Sequence, residues 1–74
     1  MPKLNSKKIK QLRLNGVDAE GKEITAFSLA NELGVSDRVI YRLENDENYN
    51  PGIFTLLKVS EYFNVRIDDL IVKD

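Results

Sequence analysis

The sequence lacks the side chains on which many enzymes and disulfide-stabilised domains depend. Its 74 residues contain no cysteine and no histidine. Without cysteine there is neither a disulfide nor a thiolate metal site, and without histidine the commonest general base and metal ligand are missing. We therefore expect a protein that is not an enzyme and that needs no cofactor or metal.

Long apolar stretches are also missing. No run approaches the roughly 18 apolar residues of a membrane span, and no apolar stretch follows the basic N-terminus as it would in a signal peptide. A chain this short buries only about 60% of the surface that its unfolded form exposes. We expect a soluble, cytoplasmic protein with one modest core, forming a single domain over residues 1–74.

Charge is distributed unevenly, although the formal net charge is only −1. Residues 1–16 carry five basic side chains and no acid, whereas residues 17–36 and 46–74 each carry a net charge of −3. The total argues against a nucleic-acid binder, since such domains are usually basic. The basic segment nevertheless gives the chain one face for an anionic partner, the alternative being an ordinary solvated helix.

Apolar spacing and cap residues predict five short helices and thus an all-α fold. The first covers residues 6–15 and stops at Gly16, with Asn5 or Ser6 as its N-cap. The fourth begins with Pro51 in its first turn and ends at Asn64 in a left-handed conformation. The fifth covers residues 67–72.

Each of the two central helices begins at a cap residue flanked by an apolar pair with the spacing of a hydrophobic staple. These are Thr25 with Ile24 and Leu29, and Ser36 with Val35 and Ile40. Gly34 separates the two helices and favours a left-handed stop. Before them, residues 17–24 have apolar ends around a turn containing Gly21, which predicts a short β-hairpin.

The segment 26–45 therefore contains two short helices joined by three residues, Gly34, Val35 and Ser36. Such a connection is too short for antiparallel stacking, so the helices must cross steeply, as in a helix-turn-helix. The remaining signature residues are Leu29, Ala30, Leu33, Ile40, Arg42, Leu43, Glu44, Asn45, Pro51, Leu56, Leu57, Lys58 and Val65. In these residues the chain resembles the Cro and lambda-repressor family, also called the xenobiotic-response-element family.

The resemblance implies a compact five-helix DNA-binding domain that regulates transcription, usually as a dimer on a two-fold operator. The residues implied to face base edges are Ser36, Asp37, Arg38 and Arg42. Either arginine could form a bidentate pair with guanine O6 and N7, and Asp37 could accept from cytosine N4. An ordinary charged helix face, with Arg38 paired to Asp37 or Arg42 paired to Asp46, is the alternative.

Other residues receive supporting roles. Contacts with the DNA backbone are expected from Thr25, Tyr41, Asn45, Lys7, Lys8 and Lys22. Structural roles are expected for Arg13, Ala30, Gly34, Ile40 and Glu44, with Arg13 and Glu44 implied by the resemblance to pair across the core. Phe54 is expected to be at least partly exposed. With Tyr62 it either marks an interface or folds over the core edge or the long loop, and homodimerisation is expected through helices 4 and 5.

The sequence departs from the family at three places. Ala26 stands where the family often has a phosphate-binding glutamine, and Arg66 replaces a cap residue of the last helix. Asp46 and Glu47 stand where glycine and a basic residue are usual, so they would repel a DNA backbone unless Lys7, Lys8 and Lys22 compensate.

Four hypotheses follow. The first is a sequence-specific DNA-binding regulator, a repressor of phage or mobile-element type. The second is a protein-interaction module of the same fold, like an antitoxin or antirepressor, with weak or no DNA binding. The third is that the chain is the N-terminal domain of a longer regulator. The fourth and weakest is an enzyme, since neither an opposed carboxylate pair nor a phosphate-binding glycine loop is present.

Overall fold

A computed structural model describes residues 2–73. Their α-helices are α1 (Ser6–Asn15), α2 (Ala26–Leu33), α3 (Asp37–Asn45) and α4 (Ile53–Phe63). A single 3₁₀ turn, Ile67–Leu70, follows α4, and two short strands, β1 (Lys3–Leu4) and β2 (Ile71–Val72), pair antiparallel. No helix in this part of the chain is long and apolar enough to cross a membrane.

One hydrophobic core joins all of these elements. Its buried apolar side chains are Leu4, Ile9, Ile24, Leu29, Ala30, Leu33, Ile40, Leu43, Leu56, Val59 and Leu70. The helices α2, α3 and α4 each contribute buried residues spaced three or four apart, so each buries one stripe, whereas α1 contributes Ile9. At the start of α1, the Asn5 side chain accepts a hydrogen bond from the Lys8 N–H at 3.3 Å, which makes Asn5 rather than Ser6 the N-cap.

The prediction of five helices was wrong, because residues 67–72 do not form an α-helix. At the start of the 3₁₀ turn, the Asp69 side chain accepts a hydrogen bond from the Arg66 N–H at 3.2 Å. The Leu70 carbonyl then accepts from the Asn5 N–H at 2.8 Å. The backbone N–H and C=O groups that would form hydrogen bonds within a longer helix are thus used in strand pairing. In this pairing Ile71 lies opposite Leu4.

The predicted start of the fourth helix at Pro51 was also wrong. Gly52 is the N-cap of α4 and has φ +85° and ψ 158°, a conformation that favours glycine and cannot continue a helix. Pro51 therefore ends the preceding loop, and α4 begins at Ile53. The left-handed stop predicted at Asn64 is present, with φ +54°.

The predicted hairpin over residues 17–24 is reduced to one bridge, between Val17 and Glu23. The turn inside it is well bonded, because Asp18 Oδ1 accepts from the N–H groups of Glu20 and Lys22 at 2.9 Å each. A two-stranded ribbon this short gains little stability. Ile24, at the end of the predicted hairpin, is buried in the core instead.

Candidate nucleic-acid interface

The start of α2 is fixed by reciprocal capping. The Thr25 hydroxyl accepts from the Ser28 N–H at 3.0 Å, and the Ser28 hydroxyl accepts from the Thr25 N–H at 3.0 Å. The end of α2 turns sharply at Gly34, where φ is +68°. The Lys58 ammonium, 3.2 Å from the Leu33 carbonyl, places a positive charge at the negative end of the helix dipole.

The helix α3 begins three residues later. The Ser36 hydroxyl accepts from the Val39 N–H at 3.4 Å, and Asp37 places a negative charge in the first turn. Ile40 and Leu43 are fully buried, so they dock α3 firmly against the core. The opposite face is exposed and carries Asp37, Arg38, Tyr41, Arg42 and Asn45.

An ion pair links α3 to α1 beneath that face. Arg13 Nε donates to Glu44 Oε2 at 2.6 Å, and Arg13 Nη2 donates to Glu44 Oε1 at 2.9 Å. Arg13 Nη1 also donates to the Ile24 carbonyl at 3.2 Å. The hydrogen bond to Glu44 raises the pKa of Arg13 above its ordinary value, and the Glu44 side chain is only 4% exposed. The pair therefore fixes both the distance and the rotation of α3 relative to α1.

The two arginines of α3 differ in their surroundings. The Arg42 guanidinium lies 4.5 Å from the centre of the Tyr49 ring, in cation–π geometry. Its Nη2 is 3.8 Å from Asp46 Oδ2. Arg38 lies one turn earlier on the same face, and within residues 2–73 it forms no ion pair. One arginine is thus held in place, while the other extends into solvent.

Among the described residues, the acidic loop pairs with basic side chains other than Lys7, Lys8 and Lys22, whose attraction to DNA stays a prediction. Glu47 is paired with Lys3 at 3.4 Å and Asp46 with Arg42, whereas Lys22 is paired with Glu20 at 3.6 Å. Lys7 is exposed on α1, and Lys8 lines a groove with Phe63. Lys8 is also well separated around α1 from Arg13, the residue that contacts α3.

A second exposed surface lies on α4. Ile53, Phe54 and Leu57 are all exposed there, Phe54 to 77%. We call these three residues the α4 stripe. Tyr62 is not part of it, because its ring is half-buried and packs edge-to-face against Phe63, with the ring centres 5.0 Å apart.

Comparison with known sequences supplies the family. The sequence profile of a family described as Helix-turn-helix matches residues 24–70, which include α2, α3 and α4. The chain belongs to this helix-turn-helix family. An uncharacterized HTH-type transcriptional regulator from Coxiella burnetii (strain RSA 493 / Nine Mile phase I) is 38% identical over 48 residues. That match covers 65% of the helix-turn-helix chain and 22% of the relative's length.

Within this helix-turn-helix chain, the residues expected to face base edges do lie together on one side. Ser36 caps α3, and Asp37, Arg38 and Arg42 follow on its exposed face. Thr25 is exposed at the start of α2, whereas Ala26 beside it is half-buried. The roles of these residues toward DNA stay predictions.

Sequence reasoning missed two aromatic residues, Phe27 and Tyr49. Phe27, in the first turn of α2, is 68% exposed. Its position outside the predicted inner face of α2 was the only indication of this exposure in the sequence. Tyr49 lies in the loop that reads as polar, yet it packs against the core and under Arg42. No helical or strand period relates Tyr49 to Arg42, so spacing alone could not join them.

Proposed function

We propose that the chain is a sequence-specific DNA-binding transcriptional regulator that reads the major groove with α3. The observation that carries the proposal is the exposed face of α3, where Arg38 and Arg42 stand one turn apart on a helix capped by Ser36 and docked through Ile40. In helix-turn-helix proteins the second helix enters the major groove with its N-terminal residues toward the bases. Membership of the helix-turn-helix family supports a non-enzymatic role.

In this proposal the side chains of α3 divide between reading and positioning. Arg38 and Arg42 donate to guanine O6 and N7, while Asp37 accepts from cytosine N4. Ser36 stands nearest the helix start, where side chains reach base edges. Thr25 with the N-terminal N–H groups of α2, Tyr41 and Asn45 contact phosphates, and Lys7, Lys8 and Lys22 add long-range attraction.

We further propose that the regulator acts as a homodimer on a two-fold operator, as a repressor of phage or mobile-element type. The α4 stripe supports the dimer, because contiguous exposed apolar side chains are characteristic of interfaces. A symmetric dimer then requires a palindromic site whose half-sites are one helical turn, or a multiple of it, apart.

Selection of bound sequences from a random double-stranded DNA library tests the proposal, followed by affinity measurements at several salt concentrations. We expect a palindromic motif and a steep loss of affinity with salt. Arg38→Ala and Arg42→Ala should each lose about 1–3 kcal/mol of discrimination at one base pair of each half-site.

Arg66→Ala is the matched control, because it removes the same charge from an exposed position directly before the 3₁₀ turn, where Arg66 pairs with Asp68. It should leave the selected motif unchanged. Failure of the wild-type protein to enrich any sequence, with both α3 variants indistinguishable from it, would refute DNA reading.

One observation favours a second function, a protein-interaction module of the antitoxin or antirepressor kind. Asp46 and Glu47 follow α3 directly, and their side chains are 42% and 59% exposed. Carboxylates there repel phosphates and would suit a basic protein surface. A chain that enriches no DNA sequence and instead binds a basic partner through this loop would favour that function.

A further inference from the structure

We propose that Tyr49 is a positioning residue for Arg42 and thereby contributes to the sequence specificity of α3. The inference rests on the proposed function, in which Arg42 reads a base pair. It goes beyond that function because Tyr49 lies in the loop after α3 and is assigned no contact with DNA.

The first observation is the cation–π contact. The Arg42 guanidinium carbon lies over the Tyr49 ring, 4.5 Å from the ring centre. A cation–π contact does not require the guanidinium N–H groups as hydrogen-bond donors. The Arg42 side chain is still 51% exposed, so donors remain accessible for a bidentate contact with guanine.

The second observation is that the platform is fixed. The Tyr49 N–H donates to the Asp46 carbonyl at 3.0 Å, and the Asn48 N–H donates to Asp46 Oδ1 at 3.0 Å, so the loop is a closed turn. The neighbouring Glu47 carbonyl accepts from the Leu4 N–H at 2.9 Å, which ties the turn to β1. The Tyr49 side chain is half-buried against the core.

The consequence concerns conformational freedom. A free arginine side chain must give up most of its rotamers when it docks on a base, and that loss weakens binding. In the free protein, the contact with Tyr49 already restricts the rotamers of Arg42, and Asp46, 3.8 Å away, restrains the side chain further. Arg38 has no comparable platform among the residues that the structure describes. The two arginines should therefore respond differently to changes at Tyr49.

The test compares Tyr49→Leu with Tyr49→Phe, which keeps the ring and removes only the hydroxyl. The base pair read by Arg42 is first identified as the one whose preference disappears in Arg42→Ala. At that base pair, Tyr49→Leu should lower discrimination about two- to fivefold, the range expected for an exposed cation–π contact. Discrimination at the Arg38 base pair should be unchanged, and Tyr49→Phe should behave as wild type.

A double-mutant comparison separates positioning from general destabilisation. In an Arg42→Ala background, Tyr49→Leu should have no further effect on discrimination at that base pair. Three results would overturn the inference. Tyr49→Leu could lower the affinity for all sequences equally, or it could leave discrimination at the base pair read by Arg42 unchanged. Alternatively, Tyr49→Phe could lose the preference at that base pair.

The free protein supplies a readout that needs no DNA. The ¹⁵N heteronuclear NOE of the Arg42 Nε–H should be higher than that of Arg38, and Tyr49→Leu should lower it toward the Arg38 value, with Asp46 still 3.8 Å away. Equal values for the two arginines in the wild type would overturn the positioning role. Failure to enrich any DNA sequence would instead overturn the proposed function, while the NOE comparison would still decide whether Tyr49 orders Arg42.

Discussion

Glu44 carries a buried negative charge, and Arg13 satisfies both of its carboxylate oxygens. Removing one partner of such a pair leaves the other charge buried without compensation. We expect Glu44→Ala to lower the free energy of unfolding by about 3–5 kcal/mol. Urea denaturation measures the effect.

Glu47→Ala is the matched control, because Glu47 pairs with Lys3 at the surface, where both side chains are about half-exposed. The expected loss is at most about 1 kcal/mol, the value of an exposed ion pair. Equal denaturation midpoints for the two variants would contradict a structural role for the Arg13–Glu44 pair.

At the scale of the elements, the turn between α2 and α3 depends on Gly34, whose φ is +68°. A side chain in this left-handed region clashes with the following carbonyl. We expect Gly34→Ala to destabilise the fold by about 1–2 kcal/mol. Thermal unfolding followed by circular dichroism provides the measurement.

Asn31→Ala serves as the comparison for that variant, since Asn31 is exposed inside α2 and alanine favours helix. It should leave stability unchanged or slightly raised. If Gly34→Ala were as stable as Asn31→Ala, the backbone conformation at the turn would not limit stability.

The elements also show how far local sequence signals reach. The caps at Thr25 and Ser36 and the stops at Gly34 and Asn64 were predictable, because each depends on residues within one or two helical turns. The β1–β2 pair was not, because Lys3 and Val72 come from opposite ends of the sequence. The same limit applies within the candidate interface, where Arg38 and Arg42 follow from helical spacing but the contact with Tyr49 depends on how a loop folds back.

At the scale of the whole molecule, the α4 stripe is the surface through which we propose that two copies associate. A glutamate at its most exposed position would be buried in such an interface without a partner. Phe54→Glu should therefore weaken dimerisation by about 2 kcal/mol or more, about thirtyfold in the dissociation constant. Sedimentation equilibrium over a range of concentrations measures this change.

Val17→Glu is the control for dimerisation, because Val17 is an exposed apolar residue in the bridged turn, outside the stripe. It should associate as the wild type does. A wild-type chain that stays monomeric at every concentration, or two variants with the same dissociation constant, would argue against dimerisation through α4.

The pairing of Lys3 with Val72 closes a loop that contains almost the whole described chain. The entropy lost on closing a loop grows with its length, so this contact is costly to form for the few hydrogen bonds that it gains. Such regions are the first to exchange their amide hydrogens by local opening. Because Leu4 also holds the Glu47 carbonyl, fraying of the terminal strands would loosen the turn beneath Arg42. The order of the α3 face that we propose to read DNA thus depends partly on a contact between the two ends of the described chain.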